Sequence, residues 1–126
     1  MILSKLVIAA GLLTAVPALA QHAPGHHGTG PNGGRIEEGG GYHLELVAKD
    51  RRLDVYLTDE AQKAIPSAGY KATAILVVVG KPARITLEPG EGNRLSGSAD
   101  GPVAADAKGA VRLTRPDGKT ASISFH

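Results

Sequence analysis

The chain contains no cysteine and no tryptophan, a single methionine at its first position, and only three tyrosines and one phenylalanine among 126 residues. Without cysteine there is no disulfide staple, no thiolate nucleophile and no soft thiolate ligand. So few aromatics exclude a base-stacking platform for single-stranded nucleic acid. The charges also nearly balance, 14 Lys and Arg against 12 Asp and Glu, without the concentrated basic stripe of a nucleic-acid surface. No nucleic-acid partner is expected.

Long apolar runs are scarce too. The clearest, residues 6–16, falls short of the roughly 20 residues that cross a hydrocarbon core. Its surroundings carry an export pattern instead: Lys5 in a short cationic lead, Pro17 breaking the run, and Ala18 and Ala20 at the −3 and −1 positions of a cleavage site. Residues 1–20 are therefore expected to be a signal peptide cleaved before Gln21. No cysteine follows to take a lipid, and no transmembrane segment is expected after cleavage. The remainder is long enough for one domain with its own core.

Residues 21–34 hold Gly, His and Pro without apolar periodicity and read as a flexible His/Gly-rich arm. From residue 35 the pattern changes to a period of two. Tyr42, Leu44, Leu46 and Ala48 alternate with His43, Glu45 and Val47. Leu53, Val55 and Leu57 resume the alternation after a polar turn, which predicts a hairpin. Residues 59–66 are expected to hold a loop or one helical turn. Residues 70–79 read as a long strand, apolar on both faces from Ile75 to Val79 and so covered on both. Ala83, Ile85 and Leu87 alternate next, and a Gly-diluted strand follows over residues 94–99. A last hairpin turns at Pro116-Asp117-Gly118, with Ala121, Ile123 and Phe125 returning on one face. About seven short, regularly spaced strands without a long helix predict an all-β domain over residues 35–126, a single antiparallel, immunoglobulin-like β-sandwich.

The residues that could carry chemistry are few. His22, His26 and His27 lie within six positions of one another, three of the five histidines in the chain. Imidazole is the commonest protein metal ligand, and a Gly-rich segment can wrap several around one ion. With no sulfur ligand, Zn(II), Cu(II), Ni(II) or Co(II) are expected rather than Cu(I). The plainer reading is a solvated tail with incidental histidines. His43 and Glu45 project from one face of a strand and could add two ligands, or be an ordinary solvent-facing pair. His126 is the last residue. No serine sits in a Gly-x-Ser-x-Gly elbow, and the Gly-rich stretches lack the Lys and Ser/Thr of a phosphate loop. No catalytic residue is nominated and no enzyme activity is expected.

Several runs carry a resemblance: His26-His27-Gly28, Pro31-Asn32-Gly33-Gly34-Arg35-Ile36, Tyr42-His43-Leu44-Glu45-Leu46-Val47, Val55-Tyr56-Leu57-Thr58-Asp59, Ile85-Thr86-Leu87-Glu88-Pro89 and Asn93-Arg94-Leu95-Ser96-Gly97. Together they resemble small His-rich periplasmic proteins and domains associated with the periplasmic adaptor subunits of heavy-metal efflux systems. The likeness extends from about residue 25 to residue 125, without the membrane-fusion hairpin of a full adaptor. It implies a periplasmic location, an efflux adaptor as partner, and an accessory role in buffering or handing over metal, with His22, His26, His27 and His43 as ligands. The competing expectation is a protein–protein interaction module whose histidines are incidental.

Overall fold

A computed structural model describes residues 28–126; the expected signal peptide, residues 1–20, and His22, His26 and His27 lie outside them. Nine strands follow one another: β1 (Gly28–Thr29), β2 (Arg35–Gly39), β3 (Tyr42–Lys49), β4 (Arg52–Asp59), β5 (Lys71–Val78), β6 (Lys81–Pro89), β7 (Arg94–Ser98), β8 (Gly109–Thr114) and β9 (Thr120–Phe125). They join in the single order β1-β2-β3-β4-β7-β6-β5-β8-β9, with every pairing antiparallel. The described residues are all-β, as expected. They form nine strands rather than about seven, joined in one sheet rather than in two separate ones.

That sheet curls into a half-barrel. β6 turns the corner, pairing with β5 over most of its length and with β7 only at Glu88 and Pro89. The curl brings β2 onto β9: a methyl group on Gly39 would lie 3.1 Å from the Ser122 carbonyl oxygen and 3.3 Å from Ile123. Alternate residues of each strand then point into one core. Leu44, Leu53, Val55, Leu57, Ala74, Leu76, Leu87, Leu95, Val111, Leu113 and Ile123 are wholly buried there. Each large aliphatic side chain so buried stabilises the fold by about 1.5–3 kcal/mol. The loop before β8 adds Val103 and Ala107 to the same core.

Three differences from expectation have physical causes. Gly28 to Gly34 belong to the fold: β1 pairs Gly28 with Ile36 and Thr29 with Arg35, and the Gly33 amide donates to the Gly30 carbonyl. The second unexpected strand, β2, inverts the usual pattern. Its register sets Arg35, Glu37 and Gly39 beside the core residues Leu46, Leu44 and Tyr42. Arg35 lies over the Phe125 ring, 5.4 Å from its centroid, and donates to the Ala107 carbonyl. Third, β5 is covered on one face only. Ala72, Ala74, Leu76 and Val78 are buried, whereas Ile75, Val77 and Val79 are exposed.

The turns are built as their residues suggest. At the end of β4 the Asp59 carboxylate accepts from the amides of Ala61 and Lys63, so residues 60–66 form a loop, and no helix occurs among the described residues. In the β8–β9 hairpin the Arg115 amide donates to Lys119, the Asp117 carboxylate accepts from the Lys119 amide, and Gly118 takes φ 88°.

Tyr42 closes one end of the core against Tyr70, their hydroxyls 3.4 Å apart and their rings edge to face. Burial first, and the Tyr70 hydroxyl second, push its phenol from the usual 10.0 up to about 12. The folded state therefore holds this proton more tightly than the unfolded chain. Its contribution to stability is complete below about pH 10 and is lost as pH rises toward 12. Tyr42→Phe should remove that part of the alkaline destabilisation. Denaturant midpoints measured across this range on both proteins test it, and identical alkaline slopes would contradict it.

Candidate functional site

The outward side of β2, β3 and β4 gathers the polar groups of interest. His43 and Glu45 are two apart on β3, so both face away from Leu44 and Leu46. Opposite them in the register stand Glu38 and Ile36 on β2, and Thr58 and Tyr56 on β4. Pro31, Asn32, Gln62 and Asn93 complete a shallow cleft of about 90 Å³.

Glu45 turns out not to be a solvent-facing residue. It is only 5% exposed, because the turn after β1 folds across it. One carboxylate oxygen accepts from the backbone amides of Asn32 (2.9 Å) and Gly34 (2.8 Å), and the other from the Asn32 side-chain amide (2.9 Å). The glycines make this approach possible. A methyl group on Gly30 would fall 2.2 Å from the Glu45 carboxyl carbon, and one on Gly34 would fall 2.3 Å from the Leu46 carbonyl oxygen. The Pro31-Asn32-Gly33-Gly34 run is thus a cradle for one buried carboxylate. With three donors on it, that carboxylate is a structural anchor rather than an open ligand.

His43 is held as firmly. Its Nδ1 lies 3.0 Å from the Asp59 carbonyl oxygen, and its Nε2 lies 2.8 Å from a Glu38 carboxylate oxygen. Each ring nitrogen is thus directed at a protein oxygen, and which of the two contacts carries the N–H depends on the tautomer. A metal ion at Nε2 would have to displace the contact with Glu38, whose carboxylate stays half-exposed beside a second cleft containing Glu60. Among the described residues, no group of three or more His, Asp or Glu side chains is arranged to hold a metal ion.

The geometry therefore separates the residues nominated from sequence. His43 and Glu45 do share a face and a cleft, but Glu45 is spent on the turn and His43 is engaged at both nitrogens. His126 follows β9 and is exposed, away from the nominated groups in the register. His22, His26 and His27 lie outside the described residues. Compared with protein-family models, curated proteins and solved structures, the chain matches none. Sequence reasoning missed Glu38 and Asn32. The signal for Asn32 was present, since a Gly/Pro/Asn turn needs an acceptor for its inward amides. Glu38 could be found only once β2 was known to pair with β3.

Proposed function

We propose that the chain is an exported accessory protein that binds a divalent transition metal through its N-terminal imidazoles, buffering the ion or passing it to an efflux system. One observation carries the reading. The Glu45-clamped turn fixes Gly28 against Ile36 at the edge of the sheet, one strand away from the Glu38–His43 pair. His26 and His27 directly precede Gly28 in sequence, and Gly28 itself is held one strand away from the imidazole and carboxylate that β3 and β2 bring together. Anchoring lowers the ordering cost that a free tail meets on closing around an ion. Residues 1–20, with their export pattern, support delivery to the periplasm.

The experiment is calorimetric titration of residues 21–126 with Zn(II), Cu(II) and Ni(II). A ring must be neutral to offer a lone pair, and an unperturbed histidine titrates near pH ~6.5. Binding is expected at about pH 7.5 and should fall steeply by about pH 5.5. Substituting His22, His26 and His27 together by Ala should abolish it. His43→Ala should weaken it if Glu38 and His43 open to complete the shell, and leave it unchanged if the segment binds alone. Unchanged binding in the triple variant, or none in the wild type, overturns the proposal.

A further inference from the structure

The large hydrophobic side chains exposed among the described residues all lie on one strand and the turn that follows it: Ile75 at 43%, Val77 at 46% and Val79 at 81%. Ile75 and Val77, two apart, share the outward face of β5, and Val79 follows them at the tip of the β5–β6 hairpin. Val79 occupies that tip with φ 52°. The left-handed region is costly for a β-branched side chain and free for glycine, yet an aliphatic side chain is what the tip presents.

Cations flank these side chains. On β6, Arg84 pairs with Ile75; on β8, Arg112 pairs with Thr73; and Lys108 accepts at its carbonyl from the Val77 amide. Arg84 and Arg112 alternate with the buried Ile85 and with Val111 and Leu113, so they share the outward face with Ile75 and Val77. Their cross-strand neighbours are uncharged: Ile75 for Arg84, and Thr73 and Ser122 for Arg112. On β6 the first outward carboxylate is Glu88, at the far end of the strand from the tip.

We propose that this hairpin docks on an anionic phospholipid surface, with Val79 and Val77 entering the acyl boundary and Arg84, Lys108 and Arg112 lying at the phosphates. An apolar tip with cations set behind it matches the layering of such an interface. A peptide adding as a further strand is excluded at this point, because the β5 backbone is bonded on both sides by β6 and β8. The proposal is independent of metal binding.

The test is co-sedimentation of residues 21–126, which contain every described strand, with vesicles of phosphatidylcholine alone or mixed with phosphatidylglycerol, in the presence of a chelator. The protein should partition onto the mixed vesicles, far less onto phosphatidylcholine, and less in high salt. Each cation contributes about five-fold, so Arg84→Glu with Arg112→Glu should weaken partitioning by more than about 25-fold. Val79→Gly should weaken it roughly ten-fold while the melting temperature stays the same or rises, because the backbone strain is relieved. Equal partitioning onto both vesicle types, none onto either, or wild-type partitioning by these variants would overturn the proposal. Binding to a soluble acidic polypeptide without vesicle binding would overturn it in favour of a protein partner.

Discussion

Ile123→Asp is expected to unfold the protein, whereas Ser122→Asp is expected to melt within a few degrees of the wild type. The two positions are neighbours on β9 with opposite fates. Ile123 is wholly buried, pairs with Val111, and lies at the seam where β9 meets β2 beside Gly39. A carboxylate there would lie among the apolar side chains of the core and would forfeit the burial of the isoleucine. Burying an unpaired charge costs several kcal/mol, and the lost aliphatic burial adds about 1.5–3 kcal/mol. The total approaches the whole stability of a small domain, about 5–15 kcal/mol. Ser122 is exposed and pairs across the strands with Arg112, so an aspartate there gains a cation opposite it. Ile123→Val, which keeps the shape of the site, should cost only about 0.5–1.5 kcal/mol. Thermal melts followed by far-ultraviolet circular dichroism separate the three, and equal melts for the two aspartate variants would show that the core lies elsewhere.

That prediction could be made before the fold was known, and the reason is local. In β3, β4, β8 and β9 nearly every inward position is apolar and nearly every outward one is polar, so a period of two reveals both the strand and its face. β2 offered no such signal. Its inward positions are Arg35, Glu37 and Gly39, and its one aliphatic residue, Ile36, faces out. Charged inward positions are tolerated there because Arg35 finds the Phe125 ring and the Ala107 carbonyl, partners 90 and 72 residues away that no local pattern contains. In β5 the error ran the other way. An unbroken apolar run suggested cover on both faces, but aliphatic residues also occur on open faces, and the curl of a single sheet covers only the concave side.

The candidate site was legible to the same partial degree. Period two placed His43 and Glu45 on one face, and the structure keeps them there. What each side chain does depends on elements that return from a distance: β2 brings Glu38 to His43, and the turn after β1 closes over Glu45. A residue that reads as a solvent-facing ligand therefore became a buried anchor. This redistributes the metal hypothesis, which rests on His22, His26 and His27, with His43 available only if its contacts to Asp59 and Glu38 open, and with Glu45 committed elsewhere.

Glu45→Ala should be the most damaging substitution on the polar face of the sheet. The carboxylate satisfies the backbone amides of Asn32 and Gly34 and the Asn32 side chain, in a setting only 5% exposed. Removing it leaves two backbone donors facing a void, and each buried unsatisfied donor costs about 1–3 kcal/mol. For two donors the loss comes to about 2–6 kcal/mol, which at ~4–8 °C per kcal/mol lowers the melting temperature of a domain this size by more than about 8 °C. Glu45→Gln should be milder, since its amide keeps one accepting oxygen but turns an NH₂ group toward donors. Gly30→Ala attacks the same contact from the other side, because its methyl group would occupy the space of the carboxylate. If both residues act through one cradle, the double variant Gly30→Ala, Glu45→Ala should be less destabilised than the sum of the singles. Amide exchange gives a local readout: the Gly34 proton should lose protection in Glu45→Ala, while the Leu44 and Leu57 amides of β3 and β4 keep most of theirs in whatever fraction stays folded. A wild-type melt with an unchanged Gly34 exchange rate would mean that the turn holds itself in place, and that Glu45 is open to ligate a metal ion after all.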